Sequence, residues 1–155
     1  MPKLKLRNIT IAVIGGHTCT KDVEQLAHNL GKSIAKVGYN LVCGGLGGVM
    51  EAVASGCKAE NGLTIGILPG EDKKSANPFI DIVIPTGLGY TRNTLVVQTG
   101  DAVIALPGEY GTLSEIAFAL VLKKPVIGIG SWDIPGVIQV KTVTQAMDKL
   151  AEILK

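Results

Sequence analysis

"DAVIALPGEYGTLSEIAFALVL", residues 101–122, passes from a short apolar run through a turn-rich loop into a second apolar run. The first run, DAVIALP at 101–107, has the length of a strand buried on both faces. The second, at 112–123, repeats Leu113, Ile116, Ala117, Leu120 and Val121 at spacings of three and four, the period of a helix with one apolar face. A buried strand that leads through glycines into a helix is half of a βαβ unit, and that decides the fold class.

The same alternation runs along the chain. Strand-like segments are ITIAVIG at 9–15, NLVCG at 40–44, LTIGILP at 63–69, DIVIP at 81–85 and PVIGIG at 125–130. Between them lie helical periods at 21–37, 47–59, 89–99 and, last, 142–154. The first helix carries the stripe Val23, Leu26, Ala27, Leu30, Ile34 and Val37. Apolar strands separated by helices predict one α/β domain over 1–155, a three-layer, Rossmann-like, doubly wound sheet that is mainly parallel. The polar stretch GEDKKSANPFI at 70–80 reads as a surface loop.

Composition narrows the function. At 155 residues and 46% hydrophobic, the chain suits a single core. Its 15 basic and 13 acidic residues are scattered, and aromatics make up 4%, so neither a nucleic-acid surface nor a stacking platform for single strands is expected. The N-terminal MPKLKLRN is basic and runs into a strand-like segment. With no apolar run of membrane-span length and no signal-peptide pattern, the expectation is a cytoplasmic protein without a membrane partner. Cys19, Cys43 and Cys57 form no CxxC pair and have no histidine at metal spacing, which predicts reduced thiols and no metal site.

In open parallel sheets ligands bind where the carboxyl ends of strands meet helix N-termini. Glycine-bearing segments end strands here at GGHT (15–18, with Gly15 and Gly16), GGLGG (44–48, with Gly44, Gly45 and Gly47), GLGYTRN (87–93) and PGEYGT (107–112, with Gly108, Glu109, Tyr110, Gly111 and Thr112). Such joins let the backbone approach a ligand and turn free N–H groups toward it, so an anion is the natural guest. No loop carries the lysine of a triphosphate-binding P-loop, and GLGGVM at 45–50 puts Met50 where the dinucleotide fingerprint needs a small residue. A mononucleotide or sugar phosphate fits what is left.

Thr112-x-x-Glu115 also has the spacing of a capping box, as does Thr142-x-x-Gln145, so the pair is open to a purely structural reading. Arg92 shifts the balance. It should open the helix next to that of Glu115, at the same sheet edge, where a guanidinium binds phosphate or carboxylate in a fork. Tyr90 and Tyr110 either flank a base or simply pack. His17 reads as a polar turn residue, and Trp132 as a cover for the sheet end or an oligomer contact.

Pro107, Gly108, Gly111, Thr112 and Glu115 match the PGGxGTxxE mark of the Lonely Guy family of cytokinin-nucleotide phosphoribohydrolases, also labelled possible lysine decarboxylases, and the chain resembles that family over nearly its whole length. GGLGGVMEA at 44–52 is similar to the family's second mark, a glycine loop before a methionine-bearing helix. In VCGGLGGVMEA, ILPG, NP, IPTGLG, RN and GTLSE the chain also resembles a small prokaryotic branch related to molybdenum-cofactor carrier proteins. Two departures are plain: Glu109 stands for the second glycine of the motif, and Asn93 stands where hydrolytic members have lysine.

The resemblance implies a homodimer or higher homo-oligomer, and a nucleoside monophosphate with its phosphate on the Gly108–Thr112 loop. It assigns catalysis in hydrolytic members to the positions of Arg92 and Glu115. Gly44, Gly45 and Gly47 would form the facing wall. Decarboxylation would need a lysine Schiff base or another electron sink, and no loop offers that lysine. Two expectations follow. One is hydrolysis of the N-glycosidic bond to base and ribose 5-phosphate, with no cofactor required. The other is a non-catalytic carrier or sensor of a phosphorylated ligand such as the molybdenum cofactor.

Overall fold

A computed structural model describes residues 9–154. The basic segment 1–8 lies outside the described residues. Seven strands form one sheet: β1 (Thr10–Ile14), β2 (Asn40–Cys43), β3 (Thr64–Leu68), β4 (Ile82–Pro85), β5 (Ala102–Ala105), β6 (Val126–Ile129) and β7 (Ile138–Val140). Their order is β4-β3-β2-β1-β5-β6-β7, and every neighbouring pair is parallel. The helices are α1 (Lys21–Lys36), α2 (Val49–Ala59), α3 (Asn93–Thr99), α4 (Tyr110–Val121) and α5 (Val143–Ile153).

Two cores follow from strand alternation. Ile11 and Val13 of β1 face one way and pack with Leu30 and Ile34 of α1, Val53 of α2 and Leu150 of α5. Ala12 and Ile14 face the other way, toward Val96 and Val97 of α3 and Ile116 and Ala119 of α4. All five residues of β1 are buried, because helices cover both faces of the central strand. Thr20 caps α1 by accepting from the Val23 N–H at 3.3 Å, while Asp22 and Glu24 in its first turn and Lys36 in its last complement the helix dipole. Among the described residues no helix is long and apolar enough to cross a membrane.

The structure departs from the sequence reading in four places. A seventh strand, β7, was not expected: three residues long and only partly buried, at a sheet edge, it carries too little pattern to read. The helix expected at 89–99 is a 3-10 turn, Gly89–Arg92, followed by α3. The loop 70–80 contains a short 3-10 turn at Lys73–Ser75 and is anchored, because the Asn77 N–H donates to the Gly45 carbonyl at 2.9 Å and Asn77 Nδ2 donates to the Leu46 carbonyl at 2.9 Å.

The fourth departure decides the site. Helix α4 begins at Tyr110, two residues earlier than expected, so Thr112 lies inside its first turn and is not its cap. The capping-box reading of Thr112 and Glu115 is therefore corrected, whereas Thr142 does cap α5, accepting from the Gln145 N–H at 3.1 Å. On this helix Thr112, Glu115, Ile116 and Ala119 are buried, whereas Ala117 and Val121 of the expected apolar stripe are exposed.

Helices α1 and α2 touch backbone to backbone at Gly31, where an added Cβ would overlap the Val53 carbonyl and come within 2.8 Å of the Cys57 nitrogen. The obstacle is main chain and cannot rotate away. Gly31→Ala is expected to cost about 1–3 kcal/mol in denaturant unfolding, as overpacking does. An unchanged midpoint would show that the two helices do not pack this closely.

Candidate functional site

The strand order reverses direction between β1 and β5, so the loops leaving these strands diverge and open a crevice at their carboxyl ends. Two hydrogen bonds set its walls. The Gly16 N–H donates to the Pro107 carbonyl at 2.9 Å, and the Gly16 carbonyl accepts from the Val49 N–H at 2.9 Å, at the start of α2. The three glycine loops after β1, β2 and β5 are thus held together around a cleft of about 820 Å³.

The cleft gathers most of the residues selected from sequence: Gly15, Gly16, Gly44, Arg92, Gly108, Glu109, Tyr110, Gly111, Thr112 and Glu115 all line it. Gly45 and Gly47 do not. Gly45, with φ +78, faces the Leu68 side chain, and Gly47 lies beside the His17 carbonyl. Met50, Asn93 and Ser114 also line the cleft, and sequence reasoning did not select them as site residues.

The floor is made by two charged residues. Arg92 is 7% exposed and Glu115 8% exposed. Four ion pairs occur among the described residues, and neither Arg92 nor Glu115 takes part in them. Arg92 Nη1 donates to Asn93 Oδ1, Asn93 Nδ2 reaches Ser114 Oγ at 3.4 Å, and Ser114 Oγ donates to the Gly111 carbonyl at 2.6 Å. This relay ties the guanidinium to the first turns of α4. Arg92 Nε is buried and has no hydrogen-bond partner among the described residues, so the guanidinium is only partly satisfied by the protein.

Burial governs the electrostatics. It pushes the Glu115 carboxyl up to about 8, against the pull of the Arg92 guanidinium, so the side chain is mostly protonated at neutral pH. Burial lowers the Arg92 pKa, and the Glu115 charge opposes that. The Cys43 thiol beneath them is pushed up to about 12 by burial and is chemically quiet.

The rim is backbone. Glu109 precedes α4 without a side-chain cap, so the N–H groups of Tyr110, Gly111 and Thr112 have no partner within the helix and form an anion-attracting end. Gly108 makes this possible: a Cβ there would overlap Thr112 Oγ1 and press within 2.8 Å of the Gly16 nitrogen. Gly44 serves likewise on the opposite wall, where a Cβ would come within 2.7 Å of Arg92 Nη2. Among the described residues no group of three His, Cys, Asp or Glu could hold a metal. A second groove of about 880 Å³, between α1 and α2, shares His17 and Thr18 with the cleft but contains no buried charge.

Comparison with known proteins agrees with this architecture. The chain is 43% identical over 129 residues to an uncharacterized protein of Archaeoglobus fulgidus, spanning 79% of this chain and 85% of that one. It is 34% identical over 118 residues to the cytokinin riboside 5'-monophosphate phosphoribohydrolase of Mycobacterium tuberculosis, covering 70% of this chain but only 63% of that protein. The structure of the molybdenum cofactor binding protein from Rippkaea orientalis superposes with a TM-score of 0.92 at 36% identity, covering 97% of this chain and 99% of that one. The SLOG cluster4 family profile matches residues 8–154, and the chain belongs to that family.

Proposed function

We propose that the cleft binds a nucleoside 5′-monophosphate and hydrolyses its N-glycosidic bond, releasing free base and ribose 5-phosphate. The observation that carries this reading is the meeting of Arg92 and Glu115, both more than nine-tenths buried and neither ion-paired among the described residues, beneath unpartnered helix amides. The mycobacterial relative named for this reaction supports it. The phosphate takes the amides of Tyr110, Gly111 and Thr112 and the Thr112 hydroxyl, and the positive charge of the Arg92 guanidinium, which lines the same cleft, attracts it.

Glu115, protonated below about 8, gives its proton to the departing base nitrogen as the C1′–N bond breaks and its electron pair leaves with the base. The carboxylate that remains faces the positive charge growing on the sugar and accepts a proton from the attacking water, whose oxygen bonds to C1′. Atoms balance without a metal or cofactor. A cytoplasmic location, where such nucleotides and reduced thiols coexist, fits this reading.

A second reading, a carrier of the molybdenum cofactor, is favoured by one specific observation: the likeness to the Rippkaea orientalis protein spans 97% of this chain. In that case the same loop holds the cofactor's phosphate, and Glu115 is a ligand contact.

Incubation with a panel of nucleoside monophosphates, followed by chromatography for free base, separates the two. Hydrolysis predicts base release that Glu115→Gln lowers by about 10²-fold or more. It also predicts a kcat that falls as pH rises through about 8, because the proton donor is then lost. No base from any nucleotide, with a pterin co-purifying from cells that make the cofactor, would favour the carrier.

We also propose a homodimer through the α3 and α4 layer. Phe118 and Val121 of α4, Leu122 just after it and Leu95 of α3 are exposed there, and Ile82 and Ile84 of β4 add apolar side chains on the same face of the sheet, in register with Ile65 and Ile67. A surface of this kind needs cover. Sedimentation should give a dimer, and Val121→Glu, placed at a residue 76% exposed, should give a folded monomer. A monomeric wild type at micromolar concentration would contradict this.

A further inference from the structure

The mouth of the cleft presents two aromatic rings to solvent. Tyr90, in the turn before α3, is 86% exposed and Tyr110, at the start of α4, is 80% exposed, yet both line the cleft. Tyr110 is braced. Its ring stacks on Trp132, with centroids 6.3 Å apart and planes 26° from parallel. Trp132 is itself fixed at both ends: its Nε1 donates to the Glu109 carbonyl at 3.2 Å, and its carbonyl accepts from Gln139 Nε2 at 3.2 Å. An exposed ring that is already ordered is a flat apolar face on which a planar heterocycle stacks at little entropic cost.

Glu109 stands beside this platform, exposed and lining the cleft, with no side-chain hydrogen bond to the helix it precedes and no ion pair among the described residues. A carboxylate can only accept. The ring edge that satisfies both of its oxygens carries two adjacent N–H donors. The 2-amino-4-oxopyrimidine edge of guanine and of pterins has them, in the ring N–H and the exocyclic amino group. The corresponding edge of adenine sets one donor beside an acceptor, which meets the second oxygen with repulsion.

We propose that Tyr90 and Tyr110, the latter braced by Trp132, hold the ring of the ligand and that Glu109 reads its edge, so that the cleft selects phosphorylated compounds with an aminopyrimidinone ring. This rests on the reading of the cleft as a phosphate site and names the ligand class within it. Guanine nucleotides and pterin phosphates share the chemistry, and it gives the departure at Glu109 a role in either functional reading.

Affinities of GMP, AMP, neopterin monophosphate and inorganic phosphate are measured by calorimetry on wild type, Glu109→Gln and Tyr110→Ala, with kcat/KM in place of Kd where a nucleotide is turned over. Wild type should prefer GMP or neopterin phosphate to AMP by about tenfold or more, the discrimination of a good bidentate contact. Glu109→Gln should erase that ratio without weakening inorganic phosphate. Tyr110→Ala should weaken every ring ligand by about tenfold and leave inorganic phosphate unchanged. The tighter of GMP and neopterin phosphate identifies the source of the ring. AMP binding as tightly as both, or a preference that survives Glu109→Gln, overturns the proposal while phosphate binding still upholds the cleft. Failure of inorganic phosphate and every ring ligand to bind overturns both.

Discussion

A guanidinium and a carboxyl that share one buried floor without joining in an ion pair are the constraint on which the rest of this structure depends. Charges withdrawn from water are costly unless they are paired, neutralised or given a ligand. The protein uses the first two remedies in part: Asn93 occupies one arm of Arg92, and burial keeps Glu115 largely protonated at neutral pH. The proposed phosphate supplies the third, as a counter-charge for the guanidinium at the cleft it lines, and so closes the account of why such a pair is kept at the head of the sheet.

The surrounding backbone is shaped by the same requirement. Gly44 lets the chain pass against the guanidinium, and Gly108 lets the loop fold onto Thr112 and Gly16. The hydrogen bonds from Gly16 to Pro107 and from Val49 to Gly16 hold three loops in one arrangement, so the cleft is formed before a ligand arrives. Pre-formed donors that need no rearrangement are what both proposed functions call for, whether the guest is hydrolysed or carried. The difference between those functions lies in what Glu115 does with its proton.

Much of this was legible in the sequence because parallel strands buried on both faces and glycine loops leave strong marks. The strand-loop-helix pattern at 101–122 gave the fold class, and strand-end glycines located the sheet edge at which Arg92 and Glu115 meet. The similarity to a hydrolase of Mycobacterium tuberculosis and to a molybdenum cofactor binding protein agrees with the family resemblance carried by PGEYGTLSE. What was illegible depended on helix phase and on tertiary contacts. Hydrophobic period alone placed Leu113, Ile116, Ala117, Leu120 and Val121 inward on α4. Ile116 is buried and Leu113 and Leu120 are partly so, but Ala117 and Val121 are exposed, and Thr112, Glu115 and Ala119 are buried as well. Polar residues on a buried face run against the periodicity rule, and here they mark the site. Asn93 read only as a departure, since its approach to Ser114 joins residues 21 apart in the chain, which no local pattern shows. The short edge strand β7 had no local pattern to announce it.

The most direct test is a crystal structure of the protein with GMP or AMP bound. The account predicts phosphate oxygens within hydrogen-bond distance of the amides of Tyr110, Gly111 and Thr112, with the Arg92 guanidinium facing them, and the ring at the mouth beside Tyr110. A nucleotide bound instead in the groove between α1 and α2, or a cleft that stays empty at saturating ligand, would contradict it.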